Sequence, residues 1–209
     1  MDLDRLEAGF RNRTPEVMDA QRGSAVLVPL VKGEEGLCLL YEVRAKTLRH
    51  QPGEICFPGG RMEGEESPAA CALRETWEEL GIPPEAVRVL GPLDFVAHRS
   101  GRIIHAVLGL VEAETLERLA PNPAEVEETF LVPLADLWDR APMEASYPLV
   151  PAPEEDFPYE ALGIPRHYPW ANGRERVLSY RWGDRVIWGL TGRITRNLIQ
   201  LMKELRDRS

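Results

Sequence analysis

The pattern of hydrophobic and polar positions predicts strands over much of the chain. The runs AVLVPLV (25–31) and LCLLYEV (37–43) are rich in branched residues, and the polar turn GEEG joins them. Further runs of this kind lie at 87–90, 93–97, 103–111 and 125–134. Antiparallel strand pairs are therefore expected to form a large part of the fold.

Turn residues mark two further hairpins. His98-Arg99-Ser100-Gly101 is the predicted tip between two of the strands, and ERVLSYRWGDRVIWGL (175–190) is predicted to turn at Gly183-Asp184. The segment ADLWD (135–139) predicts a short helix directly after a strand.

Other segments have the spacing of helices. Leu3, Leu6 and Phe10 predict a short N-terminal helix, and Thr14-Pro15 predicts the start of another. A central helix is predicted from Ser67-Pro68 to Gly81, because serine caps a helix N-terminus and glycine ends a helix. The last helix has an apolar stripe of Leu190, Ile194, Leu198, Leu201 and Leu205.

These elements show no regular strand–helix–strand repeat, which favours the α+β class with a mixed sheet packed between helices. The 209 residues suit a single domain, 1–209, with an N-terminal helical extension at 1–22. Residues 142–169 hold seven of the 18 prolines, so the Pro-rich segment 142–170 is predicted to be an ordered loop or insertion.

Composition and charge narrow the classes of partner. The net charge of −9 argues against broad electrostatic binding of nucleic acid. No apolar run is long enough to span a membrane, and the acidic start is unlike a signal peptide. Three cysteines without metal-like spacing predict reduced thiols and a cytoplasmic location.

The central helix concentrates negative charge at Glu75, Glu78 and Glu79. Ala70, Leu73, Trp77 and Leu80 are predicted to form its packed face, which leaves the three carboxylates pointing outward. Clustered carboxylates are the ligands that Mg²⁺ or Mn²⁺ prefers. The alternative is an ordinary solvated acidic face, which spacing alone does not exclude.

Two neighbouring features favour the cation site. Gly59-Gly60 would let the backbone approach a ligand closely, and Arg74 is positioned to orient a neighbouring glutamate.

From Gly60 onward the chain fits the pattern G-x5-E-x7-R-E-U-x-E-E-x-G-U, where U is an aliphatic residue. The matching positions are Gly60, Glu66, Arg74, Glu75, Glu78, Glu79, Gly81 and Ile82. This pattern resembles the Nudix box, with Thr76 as the one departure, at a position that is usually aliphatic.

The resemblance implies a Nudix-type α/β/α sandwich and cation-dependent cleavage of a nucleoside diphosphate derivative. It implies that Glu75 and Glu79 hold the metal, that Glu78 often does so too, and that the Gly59 carbonyl contributes. By the same resemblance, Glu66 supports the loop more often than it binds the metal directly.

The upstream stretch LYEVRAKTLRHQPGEICFPGG (40–60) resembles the motif LLTxR[SA]xxxRxxxGxxxFPGG of Nudix hydrolases that cleave coenzyme A. Arg44, Arg49 and Gly53 fall in register with it, whereas Tyr41 and Glu42 depart from it. The segment 187–191 (IWGLT) also looks like this subfamily's VWGLT-like tail.

The implied reaction converts coenzyme A and water to 3′,5′-ADP and 4′-phosphopantetheine. Arg44 and Arg49 are then expected to bind phosphate groups, since arginine forks suit phosphate oxygens. Glu78 and Glu79 are candidates for the general base, and so are Glu125, Glu127 and Glu128 of EVEETF.

Several alternatives stay open. The substrate could be ADP-ribose or a dinucleotide, or the chain could be a Nudix-fold nucleotide sensor without catalysis. The intact charged residues of the box argue against the sensor. A homodimer is compatible with the sequence but is not indicated by it.

Overall fold

The computed structural model of the protein describes residues 3–11, 13, 21–33, 36–98 and 101–208. Its helices are α1 (Leu3–Arg11), α2 (Pro68–Leu80), α3 (Leu134–Trp138) and α4 (Gly189–Asp207). Its strands are β1 (Gln21–Gly33), β2 (Gly36–Arg44), β3 (Ile55–Cys56), β4 (Gly59–Arg61), β5 (Val87–Pro92), β6 (Val96–Ala97), β7 (Arg102–Val111), β8 (Val126–Pro133), β9 (Met143–Leu149), β10 (Gly173–Trp182) and β11 (Arg185–Trp188). Pro84–Ala86 and Ala113–Arg118 are short 3₁₀ helices.

The main sheet is mixed, as the sequence predicts. Its central order is β3-β2-β1-β7-β5, and β4, β6 and β8 pair with β1, β7 and β2 respectively. The β1–β7 pair is parallel, whereas the other pairs of this sheet are antiparallel.

Alternation along β1 divides the core into two layers. Leu27 packs in a cluster with residues of α2, and the adjacent Val28 packs in a separate cluster with residues of α4. Successive strand side chains point to opposite faces, so the two helices lie on opposite sides of the sheet. The α+β fold with helices around a mixed sheet is thereby confirmed.

The C-terminal helix matches its predicted stripe at the centre but not at the end. Ile194 and Leu198 are buried in the core, whereas Leu205 is exposed. The preceding hairpin also forms as predicted, with β10 and β11 joined at Gly183, whose φ is 58°.

The Pro-rich segment is not a loop throughout. Met143–Leu149 forms β9, which pairs with β10 in a second sheet of order β11-β10-β9. Pro148 is tolerated there because β9 is an edge strand of this sheet. Residues 150–172 form neither strand nor helix, so the continuous loop begins later than predicted.

Other predicted boundaries also change. Of the predicted strand 93–97, only Val96–Ala97 pairs with β7. The predicted helix start at Thr14-Pro15 lies outside the described residues, as do parts of the GEEG turn and of the 98–101 tip.

Candidate active site

Helix α2 begins and ends where its capping residues predict. The Ser67 hydroxyl accepts a hydrogen bond from the Ala70 amide at 3.2 Å, and Pro68 occupies the first turn. At the other end, Gly81 has a φ of 71° and its amide donates to the Trp77 carbonyl at 2.9 Å. Both caps set the register in which the glutamates are presented.

The buried face of α2 agrees with the predicted one at Leu80 and at Leu73, which packs partly buried against the same cluster, but differs at Ala70 and Trp77. Its buried residues are Cys71, Ala72, Thr76, Glu79 and Leu80. Ala70 is exposed, and Trp77 is 56% exposed. The small side chains at 71, 72 and 76 let the helix lie close to the sheet, where a tryptophan would not fit. The prediction of outward-pointing carboxylates is wrong for Glu79, which is 3% exposed.

Glu79 is held under the helix by the backbone of β4. The Gly59 amide donates a hydrogen bond to Glu79 Oε2 at 2.8 Å. Gly59 has a φ of 154°, and a Cβ there would lie 2.3 Å from the Ala25 carbonyl oxygen. Only glycine therefore allows β4 to approach both β1 and this carboxylate.

Gly60 leaves room for the second carboxylate. A Cβ on Gly60 would lie 2.4 Å from the carboxyl atoms of Glu75. The double glycine therefore forms a cradle for Glu75 and Glu79, and any larger residue at position 60 would displace the Glu75 carboxylate.

Arg74 connects the other acidic residues of the site. Its guanidinium donates to Glu66 Oε1 at 2.9 Å, to Glu75 Oε1 at 3.0 Å and to Glu78 Oε2 at 3.1 Å. Hydrogen bonding to Arg74 and to the Glu63 amide lowers the pKa of Glu66 to about 2. Arg74 thus offsets part of the charge repulsion along the helix.

The remaining charge is costly because it is buried. Burial, followed by the charge of Glu42, raises the pKa of Glu79 to about 9. Burial also raises the pKa of Glu75, although Arg74 opposes this shift. Carboxylates with raised pKa values in a shared cradle are a donor set that a divalent cation would stabilise in the ionised form.

These donors are not arranged as a preformed metal cage. Among the described residues, no group of three His, Cys, Asp or Glu side chains has metal-binding geometry. Arg74 and the Gly59 amide each bind carboxylate oxygens that a cation would need. Cation binding therefore requires side-chain movement in α2.

Glu42 is an acidic residue that the sequence analysis noted only as a departure from a motif. It is 1% exposed, and it is the register partner of Cys56 across β2 and β3. Leu40 packs in the α2 cluster, so alternation along β2 places Glu42 and Arg44 on the α2 side as well. That alternation is the signal that could have identified Glu42.

The carboxylates of the EVEETF segment have different surroundings. Glu127 binds Lys46 at 2.5 Å, and Glu128 binds Arg185 at 2.7 Å, both near the surface. Glu125 is half-buried, and its charge acts on the pKa values of Glu42, Glu75 and Glu79.

The loop before β8 explains the position of Glu125. The Asn122 amide donates to the Glu79 carbonyl at 2.8 Å, and the Ala120 amide donates to the Leu80 carbonyl at 3.0 Å. These bonds attach the loop to the end of α2, so the side chain of Glu125 follows beside the glutamates.

The two candidate phosphate-binding arginines differ in burial. Arg44 is half-buried and its Nε atom is buried without a hydrogen-bond partner. Burial raises the pKa values of Glu42 and Cys56, and the charge of Arg44 opposes both shifts, which places Arg44 near Glu42. Arg49 is exposed in the loop between β2 and β3, and its role stays a prediction.

A mixed sheet carries an acidic helix over a double glycine, and a chain with this arrangement of fold and site matches a known family. Residues 21–151 match the NUDIX domain. The chain therefore belongs to the Nudix hydrolase family.

Individual relatives agree with this assignment. The chain is 34% identical over 193 residues to an uncharacterized Nudix hydrolase, NudL, of Pectobacterium atrosepticum, covering 90% of this chain and 85% of that one. It is 35% identical over 142 residues to Nudix hydrolase 3 of Caenorhabditis elegans, covering 67% of this chain and only 59% of that longer relative.

Solved structures include a MutT/nudix family protein from Enterococcus faecalis. It is 15% identical, with a TM-score of 0.49, and the match covers 99% of this chain and 70% of that one.

Within the described part of the chain, no helix is long and apolar enough to cross a membrane.

Proposed function

We propose that the chain hydrolyses the diphosphate of coenzyme A or an acyl-CoA, with Mg²⁺ or Mn²⁺, to 3′,5′-ADP and 4′-phosphopantetheine or its acyl form. The observation that carries this proposal is the cradle of Gly59 and Gly60 around the Glu75 and Glu79 carboxylates. The choice of coenzyme A rests on the upstream motif and on Arg44, whose partly buried guanidinium acts on Glu42, which in turn acts on Glu79.

Each charged residue has a separate role in this proposal. Glu75 and Glu79 would hold the cation, and Glu78 and the Gly59 carbonyl would complete its shell. When bound, such a cation neutralises the diphosphate and lowers the pKa of the attacking water. Arg74 would keep Glu75 and Glu78 in position through the hydrogen bonds that it already makes.

Substrate binding would use the backbone and the upstream arginines. By seating the Glu75 and Glu79 carboxylates against the backbone, the glycines at 59 and 60 would hold the cation to which the diphosphate binds. Arg44 and Arg49 would bind phosphate oxygens and so supply positive charge in an acidic protein.

Glu125 is the carboxylate best suited to accept a proton from the attacking water. It lies beside Glu75 and Glu79, whereas Glu127 and Glu128 are engaged by Lys46 and Arg185. A general base must reach the proton that it removes, and only Glu125 of this segment has that placement.

A product assay tests the substrate. Purified protein with Mg²⁺ or Mn²⁺ is incubated with coenzyme A, acetyl-CoA, ADP-ribose and NADH, and the products are separated by chromatography. We expect coenzyme A or acetyl-CoA to have the highest kcat/KM. Faster turnover of ADP-ribose or NADH would instead support a Nudix pyrophosphatase of another diphosphate.

Glu79→Gln tests catalysis itself. We expect kcat to fall by about 10²-fold or more, because the substitution removes a charge that stabilises the reacting centre. Circular dichroism should stay unchanged, which separates this loss from unfolding. Binding of nucleotides without turnover by the parent protein would support the sensor instead.

These assays do not test three further proposals: a cytoplasmic location, the absence of nucleic-acid and membrane partners, and a homodimer.

A further inference from the structure

Glu42 is a buried acid without the contacts that burial requires. Its Oε1 atom accepts a hydrogen bond from the Cys56 thiol at 3.1 Å. Its Oε2 atom is buried and has no hydrogen-bond partner among the described residues. Buried carboxylate oxygens in native proteins are almost always satisfied, because an unmade hydrogen bond there costs free energy.

Neither protonation state of Glu42 removes this deficiency. An ionised carboxylate would need a donor or a cation at Oε2, and a neutral carboxyl group would need an acceptor for its proton. The described surroundings offer neither at that atom. We infer that a group other than the described residues completes the shell of Oε2.

The charged groups around Glu42 identify the chemistry of that ligand. Glu125 and Arg44 act on the ionisation of Glu42, and Glu42 in turn acts on Glu79, so these groups surround one point. Arg44 does not satisfy Oε2, and its own Nε atom is likewise buried without a partner. A site with several carboxylates and one unsatisfied oxygen suits a hard cation with oxygen ligands.

We propose that Glu42 is a further carboxylate of the cation site, with Oε2 binding the divalent cation held by Glu75 and Glu79. This inference rests on the proposed cation-dependent function. Glu42 stands where the motif of the coenzyme A-cleaving enzymes has threonine, so the additional ligand is a property of this chain. The unpartnered Arg44 Nε on the same face of β2 would then bind a phosphate oxygen next to the cation.

Cation binding without substrate is the most direct test. Mn²⁺ is titrated into the protein and free Mn²⁺ is measured by electron paramagnetic resonance, for the parent, Glu42→Gln, Glu42→Thr and Glu79→Gln. We expect both Glu42 variants to bind Mn²⁺ about tenfold or more weakly, in the range seen when groups around a metal are removed. Glu204→Gln is the matched control, since it removes one exposed carboxylate on α4, across the sheet.

Thermal unfolding adds a readout that separates a ligand from a structural residue. Without cations, we expect Glu42→Gln to have a Tm equal to or above the parent, because glutamine cannot ionise in the buried site. The rise in Tm on adding Mg²⁺ should be smaller than for the parent, since stabilisation by a ligand depends on its affinity.

Two results would overturn the role of Glu42. One is Mn²⁺ affinity within twofold of the parent in both variants while Glu79→Gln binds weakly. The other is a lower Tm for Glu42→Gln with an unchanged Mg²⁺-induced rise, which would make Glu42 structural. If Glu79→Gln also binds Mn²⁺ normally, the cation site of the proposed function is itself wrong.

Discussion

The glutamates of the site differ because their oxygens contact different groups. Glu66 accepts hydrogen bonds from the Arg74 guanidinium and from the Glu63 amide, and these bonds lower its pKa to about 2. Glu79 receives one backbone hydrogen bond but is deeply buried, and its pKa rises to about 9. Ionisation of Glu79 therefore opposes folding, whereas ionisation of Glu66 supports it.

This difference predicts how stability depends on pH when divalent cations are removed with EDTA. Between its usual value of 4.5 and about 9, folded Glu79 keeps a proton that the unfolded chain has released. Glu42 behaves in the same way up to about 7. The free energy of unfolding should therefore fall as pH rises through this window, by at most about 1.4 kcal/mol per pH unit for each proton.

Urea denaturation at pH values from 7 to 9 measures this slope. The window avoids the opposite contributions of Glu66 at acidic pH and of His105, whose pKa burial lowers. Glu79→Gln should flatten the slope, and Mg²⁺ should reduce it in the parent. A parent slope that is unchanged by Glu79→Gln would contradict the burial argument.

Single residues were predictable where a motif fixes charge and spacing. Glu75, Glu79 and Arg74 were identified in this way, and the structure brings them together with Gly59 and Gly60. Glu42 was not identified, because one glutamate in a strand carries no spacing signal. Its importance depends on long-range contacts with β3 and α2.

At the scale of elements, the close packing of α2 on β4 depends on two glycines: Gly59 lies against the backbone of β1, and Gly60 lies against the Glu75 carboxyl group. The Cβ of Gly59→Ala would meet the backbone of β1, which cannot yield without moving a strand. The atoms nearest to the Cβ of Gly60→Ala would be those of the Glu75 carboxyl group, which can rotate away. Replacement by alanine should therefore reduce mainly stability at position 59 and mainly activity at position 60.

We expect Gly59→Ala to lower the free energy of unfolding by about 2–4 kcal/mol, through strain and a backbone clash. Gly60→Ala should lower it by less than about 1 kcal/mol but should lose most hydrolytic activity, because Glu75 is displaced. Chemical denaturation and the coenzyme A assay measure the two effects. An equal loss of stability in both variants would contradict the different roles assigned to Gly59 and Gly60 in the cradle.

The same packing explains why the face of α2 was predicted wrongly. An apolar stripe is usually assigned by its largest residues, which selected Trp77. The structure instead buries Thr76, whose hydroxyl donates to the Ala72 carbonyl at 2.6 Å. Helix boundaries follow from local caps, but the buried face depends on how closely the partner sheet approaches, and that information is not local.

At the scale of the whole molecule, side chains from β8, α3 and the second sheet form one connection. Phe130 stacks on Trp182, with ring centroids 6.0 Å apart, and the Trp182 indole donates to Asp136 Oδ2 at 2.9 Å. Arg185 lies 4.0 Å above the Phe130 ring. The partners are far apart in sequence, so the strands were predictable but their connection was not.

The Arg185–Glu128 pair extends this connection, and its two hydrogen bonds of 2.7 and 3.1 Å are those of a bidentate pair. A double-mutant cycle of Arg185→Met and Glu128→Gln measures its coupling free energy. We expect about 0.5–1 kcal/mol, because both side chains are partly exposed and water screens their charges. The coupling should shrink in 1 M NaCl, whereas the additional loss in Arg185→Met from its contact with Phe130 should persist. A coupling near zero at low salt would mean that the ion pair does not contribute to this connection, which would then depend on the stacked rings and the Trp182–Asp136 hydrogen bond.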